Sequence, residues 1–316
     1  MAKIRKFYRK KKSSNFALSS LRSYQFSFPL FFHNLLPLRL KFAKEEFIAI
    51  SNQKVVGALV ASTTKGLPNR IKIGEILFVE GCYDVAKQLL EFVISYYGAK
   101  GATSFWVKIS NSYPELLNLL VSQYNFRQCS YEKLWKVSRR KYEEYEYSLN
   151  VRPFRNSDAA SISVMHNESL VSHFRPSLSL TAQSFSETPF KGLQEGSEYK
   201  YIIEDKKSGN QVAYFSISTK DNENYVLDII QTSWYQPAFD DIIAFACVEV
   251  KKRNLNFNLY VKSKKYTVNG LAYEDFFSRN SFLVSQTNAV LVKDYYTPIN
   301  IKEESSNIVM LGQPSY

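Results

Sequence analysis

Cysteine, histidine, glycine and proline are all scarce in this 316-residue chain, at three, three, 11 and 10 residues. Cys82, Cys129 and Cys247 lie far apart, are odd in number and form no C-x-x-C pair, which excludes a disulfide framework and a structural zinc site as readings. Three reduced, mostly buried thiols are expected instead. His33, His166 and His173 form no H-E-x-x-H, and no carboxylate pair stands near the last two, so no metal site is expected. The few Gly and Pro leave few chain-breaking positions and argue for well-packed domains over a long linker. Long apolar runs are also missing. Residues 26–40, FSFPLFFHNLLPLRL, are interrupted by Pro29, His33, Asn34, Pro37 and Arg39 and fall short of the roughly 20 residues that a bilayer requires. No small-residue cleavage pattern comes after the basic start, so no secretory signal is read and the expected compartment is cytoplasmic.

What the chain has in plenty is aromatic and basic. It carries 22 Tyr and 23 Phe, with 45% apolar and 22% charged residues, the balance of a globular protein long enough for two ordinary domains. The formal charge is +12. Lys3, Arg5, Lys6, Arg9, Lys10, Lys11 and Lys12 form one basic run around Phe7 and Tyr8, and Lys251, Lys252, Arg253, Lys262, Lys264 and Lys265 a second. The first run reads as a solubilising tail, or as a contact for an acidic protein or lipid surface. Nucleic acid has less support, because no zinc finger or Arg/Gly-rich aromatic repeat accompanies the charge.

Hydrophobic periodicity divides the rest into elements. Residues 47–50 and 55–62 read as a hairpin and 71–79 as a further strand. In 84–97, Val85, Leu89, Phe92 and Tyr96 recur at helical spacing, with Asp84 as the expected N-cap. Next come a strand at 103–109, a helix at 114–123 opened by Pro114, and a strand from Phe126 to about Val137. Residues 139–150 are highly charged, with Leu149 the one aliphatic side chain, and form the expected linker. Beyond it the order repeats: helix 158–171, hairpin 199–204 and 211–218, strand 225–232, helix 238–252, strand 256–261, helix 268–277 and a strand from Phe282. Phe126 aligns with Phe282 and Trp135 with Leu291, in each case 156 residues apart. Two copies of one α/β (α+β) domain are expected. The boundaries are a basic start with short helices at 1–40, domains at 41–138 and 151–296, the linker at 139–150 and a tail at 297–316.

This order resembles the general-control-type N-acetyltransferase superfamily (GNAT). The segment 151–167, VRPFRNSDAASISVMHN, resembles that family's opening strand and helix. Asn269, Ala272, Phe276, Phe277 and Phe282 resemble its passage from last helix to closing strand. The resemblance implies two tandem GNAT-like domains, each with a mixed, mainly antiparallel sheet flanked by helices. It also implies an acetyl-CoA or other acyl-CoA cofactor between two splayed strands, its pyrophosphate at the next helix N-terminus.

The matching loops depart from the family's glycine-rich pattern. Residues 80–84 keep Gly81 but add Glu80 and Asp84; residues 232–238 have no glycine and add Trp234, Tyr235 and Pro237. Gly81, Cys82 and Tyr83 are therefore the candidate cofactor-binding residues. The family's proton-donating Tyr falls on Val121 and Phe277, with Tyr124 and Tyr273 nearby. Glu75 and Asp228, on the strands before the two loops, are the candidate catalytic bases. The expected function is an acetyltransferase-like tandem scaffold, catalytically weak or silent, with Trp234 and Tyr235 as a protein-binding loop. The alternatives are an active N-acyltransferase on an amine and a basic nucleic-acid-associated protein.

Overall fold

The computed structural model describes residues 3–6, 45–51, 54–78, 82–187, 197–235 and 239–295. Gly81, Pro237, most of the N-terminal basic run, the expected short helices before residue 41 and the tail from 297 lie outside the described residues. The first half supplies strands β1 (Lys3–Lys6), β2 (Glu45–Ser51), β3 (Lys54–Thr64), β4 (Leu67–Phe78), β5 (Ser104–Ser110) and β6 (Arg127–Lys136). Its helices are α1 (Tyr83–Gly98) and α2 (Pro114–Asn118). The second half supplies β7 (Val151–Pro153), β8 (Ser197–Glu204), β9 (Gln211–Thr219), β10 (Asn224–Gln231), β11 (Asn258–Lys264) and β12 (Leu283–Asp294). Its helices are α3 (Ala159–Ser169), α4 (Arg175–Leu178), α5 (Ala182–Phe185), α6 (Phe239–Lys251) and α7 (Gly270–Arg279).

Local chemistry accounts for the main elements. Helix α1 buries Ala86, Leu89, Leu90, Val93 and Tyr97, one stripe at three- and four-residue spacing. It opens one residue earlier than expected, with Cys82 at the N-cap and Asp84 in the first turn, where a carboxylate favours the helix dipole without capping an amide. Strands β5 and β11 alternate along most of their length, burying Phe105, Val107 and Ile109 in one half and Leu259 and Val261 in the other. Pro114 sits in the first turn of α2, where it sacrifices no helical bond.

Among the described residues, 12 strands form one sheet in the order β1-β2-β3-β4-β5-β12-β6-β11-β10-β9-β8-β7. The two halves therefore exchange their closing strands. β12, from the second half, pairs with β5, and β6, from the first, pairs with β11. The cores follow the exchange. Ala289 and Leu291 of β12 belong to the core under α1, whereas Trp135 and Val137 belong to the core under α6 and α7. β6 and β12 then pair with each other at the centre. Arg127 faces Val292 and Leu283 faces Lys136, partners that interchange under a 156-residue shift, and Glu132 faces Asn288, its own equivalent. That register is what a pseudo-two-fold axis through the β6–β12 ladder requires.

The 139–150 stretch docks rather than hanging free. Arg139–Tyr142 forms one 3₁₀ turn, and the Tyr142 ring is buried in the second-half core. Helices α3 to α5 cover the opposite face of β8, β9 and β10, where Ile162, Met165 and Phe185 meet Ile202, Tyr214 and Ile230. This layer also touches the first half: Arg70 donates to the Ser179 and Pro176 carbonyls at 2.6 and 3.1 Å. Gly66, at φ +78°, lets the β3–β4 turn approach Thr181 closely enough that a Cβ there would collide with its hydroxyl. Two of the three thiols are sheltered, but Cys82 is exposed, because it precedes α1 on the surface.

Candidate functional site

The parallel strand pairs of the two halves carry one register. Residues 70–73 pair with 104–107, and 224–227 pair with 258–261, four residues each, 154 positions apart. Past Ile73 and Leu227 the strands no longer pair, although β4 runs on to Phe78 and β10 to Gln231. Each half thus opens a splayed cleft, as the resemblance implies.

The first-half cleft opens at a bulge. Val60 faces Glu75 and Ala61 faces Ile73, which leaves Gly74 without a partner on β3. A bulge bends its strand and re-aims the side chains beyond it. Ile76 and Phe78 consequently turn toward α1, while Glu75 turns to the opposite face with Lys72. A Cβ on Gly74 would meet only the Val60 carbonyl, at 3.6 Å. Glu75 is exposed and lies 3.6 Å from Lys220 of the β9–β10 turn. Cys82 is exposed at the head of α1, and Tyr83 packs at a tilt against Phe78, ring centres 5.3 Å apart, and donates its hydroxyl to Glu115 at 3.2 Å.

The second-half cleft is crossed by its own side chains. β10 pairs with β9 without a register shift from Tyr225 to Gln231. Asp228 accepts from Lys262 at 2.8 Å and forms an ion pair with Lys264 at 2.6 Å, both on β11. Burial alone would raise its pKa, but Lys262 and then Lys264 outweigh that and hold it well below the usual carboxylate range. Deeper in, the Tyr273 hydroxyl donates to the Gln231 side chain at 2.7 Å, and Gln231 donates to the Tyr235 carbonyl at 2.9 Å. Burial pushes the Tyr273 phenol far up, so it holds its proton.

The helix that would receive a pyrophosphate here is also taken. Asp240 and Asp241 stand in the first turn of α6. The docked linker caps both: Lys141 and Tyr142 each reach Asp240 at 2.7 Å, and the Tyr145 hydroxyl donates to Asp241 at 2.8 Å. That last bond, aided by burial, pushes the Tyr145 pKa up to about 12.

A buried charge cluster joins the halves beneath the exchanged strands. Glu132 of β6 pairs with Lys108 of β5 at 2.7 Å and accepts from the Tyr266 hydroxyl at 2.5 Å. Burial opposes its ionisation, yet Lys108, Lys262 and Lys264 together hold its pKa at about 2. Lys108 and Lys262 are equivalent positions, each one residue past the last parallel pair, and they take opposite roles. Lys262 crosses its cleft to Asp228, whereas Lys108 turns away to Glu132.

No protein-family model matches the chain, and no curated protein does. Solved structures do. A tandem GNAT protein from the clavulanic acid biosynthesis pathway, solved without AcCoA, is 11% identical with a TM-score of 0.54, covering 81% of this chain and 84% of that one. A GCN5-related N-acetyltransferase from Sphaerobacter thermophilus is 11% identical at TM-score 0.54, covering 81% and 82%. A Drosophila protein is 10% identical at TM-score 0.52, covering 82% and 83%. The chain has the tandem GNAT fold.

Within that fold, the candidate residues do not gather at one site. Glu75 lies on the open face of the first GNAT-like copy, Asp228 in the bridged cleft of the second, and Cys82 and Tyr83 at the head of α1. Trp234 is 66% exposed, whereas Tyr235 packs against the second-half core. Sequence reasoning missed Gln231, Lys262 and Lys264 as the groups closing the second cleft. The alternation of Lys262 and Lys264 about Ser263, on a strand facing Asp228, was the available signal. It also missed the docking of the linker, to which Tyr142 and Tyr145 were the clue.

Among the described residues, no helix is long and apolar enough to cross a membrane.

Proposed function

We propose that this protein is an acetyltransferase-like tandem scaffold in which the second GNAT-like copy is catalytically silent and the first keeps a cleft for an acyl-CoA. The observation that carries this reading is the bridge from Asp228 to Lys262 and Lys264, which closes the second cleft where the first has Gly74. In the second copy the residues do not fit the cofactor: its helix start presents Asp240 and Asp241, already engaged by the linker, to a group that is itself anionic. In the first copy they fit better. The β4 edge beyond the Gly74 bulge and the exposed start of α1 at Cys82 and Tyr83 would hold it, and when bound it supplies a thioester for acyl transfer.

Glu75, exposed on the open face, is the group we assign to take a proton from an amine. Leu117 occupies the position equivalent to Tyr273, and the Tyr124 hydroxyl is committed to the Lys87 carbonyl at 2.9 Å, so neither supplies a proton to a leaving thiolate. Slow or absent turnover is the consequence. In the scaffold role, Trp234 is the residue we assign to a protein partner, because it is the large aromatic left exposed beside a packed Tyr235.

A thermal-shift titration with acetyl-CoA and free CoA tests the reading. Stabilisation of the wild type that Gly74→Trp removes and Asp228→Asn preserves is expected. Stabilisation that survives Gly74→Trp would overturn it.

A further inference from the structure

The hydrogen-bonded chain in the second cleft, from Tyr273 to Gln231 to the Tyr235 carbonyl, has no polar counterpart in the first. Phe78 faces Gly57 on β3 as Gln231 faces Ala213 on β9, so Phe78 stands where the second copy has Gln231. Leu117 stands where it has Tyr273. Both positions change together, because either polar group alone would lack its partner at a place where Gln231 and Tyr273 are only 4% and 5% exposed. A neighbouring pair changes in the same direction: the bond from Trp135 Nε1 to the Ser263 hydroxyl, 2.9 Å long, gives way to Leu291 and Ile109.

The copies differ in closure as well as polarity. Phe239, the first residue of α6, packs its ring 4.6 Å from that of Tyr273 and 5.0 Å from that of Phe276. Tyr83, the first residue of α1, turns instead to Phe78, at 5.3 Å, and to Glu115 of α2. Ile76, Phe78 and Leu117 remain half-buried. Apolar side chains are thus left partly in water in the open cleft, at positions where the second copy has a sealed polar pair.

We infer that the acyl group carried to the first copy is an apolar chain of several carbons rather than acetyl, and that Phe78 and Leu117 select it. A chain seated on these side chains takes its own methylenes and their exposed area out of water together, and each methylene buried strengthens binding about fourfold. An acetyl group, with its single methyl, gains little from the same surface. In the second copy the Gln231 amide and the Tyr273 phenol satisfy each other, and an apolar chain offers nothing to replace that bond. The inference rests on the first copy keeping the acyl-CoA cleft, since it names the acyl group that the cleft takes.

Calorimetric titration of the full-length protein with free CoA, acetyl-CoA and octanoyl-CoA tests it. Octanoyl-CoA is expected to bind about tenfold more tightly than acetyl-CoA, the effect of burying roughly two methylenes. Phe78→Gln combined with Leu117→Tyr, which installs the second copy's pair, is expected to abolish that preference while leaving the affinity for free CoA unchanged. Leu117→Gln, a single change at a half-buried position, is expected to lower the preference about threefold and serves if the double variant does not fold. Octanoyl-CoA binding no more tightly than acetyl-CoA, or a preference that survives these variants, would overturn the inference and leave the cofactor reading standing. If no CoA compound binds, the cofactor reading falls and this inference falls with it.

Discussion

The two clefts start from the same four paired residues and end differently. In the first, β4 bulges at Gly74, the strand bends away and Lys108 turns to Glu132. In the second, β10 runs unbroken, so Asp228 stays opposite Lys262 and Lys264 and ties the splayed strands together. A single unpaired residue in one copy, and a charge bridge in the other, decide which half remains open. The second copy then does structural work, because its closing strand and its Lys262 and Lys264 bear on groups that hold the first.

The comparison breaks most directly where the copies meet. Glu132→Ala leaves the half-buried Lys108 and the buried Tyr266 hydroxyl without their shared partner and is expected to cost about 3 kcal/mol, measured by urea unfolding. Because each core contains the other half's closing strand, both halves are expected to unfold in one transition. Two separate transitions would show that the exchange does not couple them.

Acid sharpens the difference between the copies. Burial, reinforced by Lys264, lowers the His166 pKa from 6.5 to about 4. The folded state therefore binds its proton less readily than the unfolded chain. The stability that His166 contributes is complete above pH 6.5 and is lost as the pH falls toward 4, by about 3 kcal/mol. Unfolding midpoints measured across that range should fall in the wild type and fall less in His166→Asn.

A smaller loss, about 2 to 3 kcal/mol, is expected for Asp228→Asn, which leaves two lysines facing each other in the second cleft without altering cofactor affinity. Glu75→Gln is expected to change stability by less than about 0.5 kcal/mol, since the residue is exposed and its contact with Lys220 is long. A drop in transfer rate without a change in unfolding midpoint would confirm its separate role.

Much of the fold was legible in the sequence. Strand alternation and the helical stripe in α1 mark most elements to within about two residues, but β4 begins four residues before the expected 71, β11 runs three past the expected 261, and β1, α4 and α5 were not read from the sequence. Phe126 with Phe282 marks the repeat. The exchange of β6 and β12 was not legible. A strand's pairing partner is not encoded in its own alternation, and nothing in a period of two says which copy's sheet a strand joins. Trp135, aligned with Leu291, fits the second core as readily as the first. The cleft was legible in place but not in state. Asp228 reads as a candidate base among apolar neighbours, and only the register of β10 with β11 brings Lys262 and Lys264 across from it. Gly74 carried no signal, because a bulge is a property of two strands together.

Calorimetric titration of acetyl-CoA into the full-length protein tests the central contrast most directly. One site per chain, abolished by Gly74→Trp and unchanged in Asp228→Asn, is the predicted result. Two sites per chain, or a single site that survives Gly74→Trp and is lost in Asp228→Asn, would contradict the account.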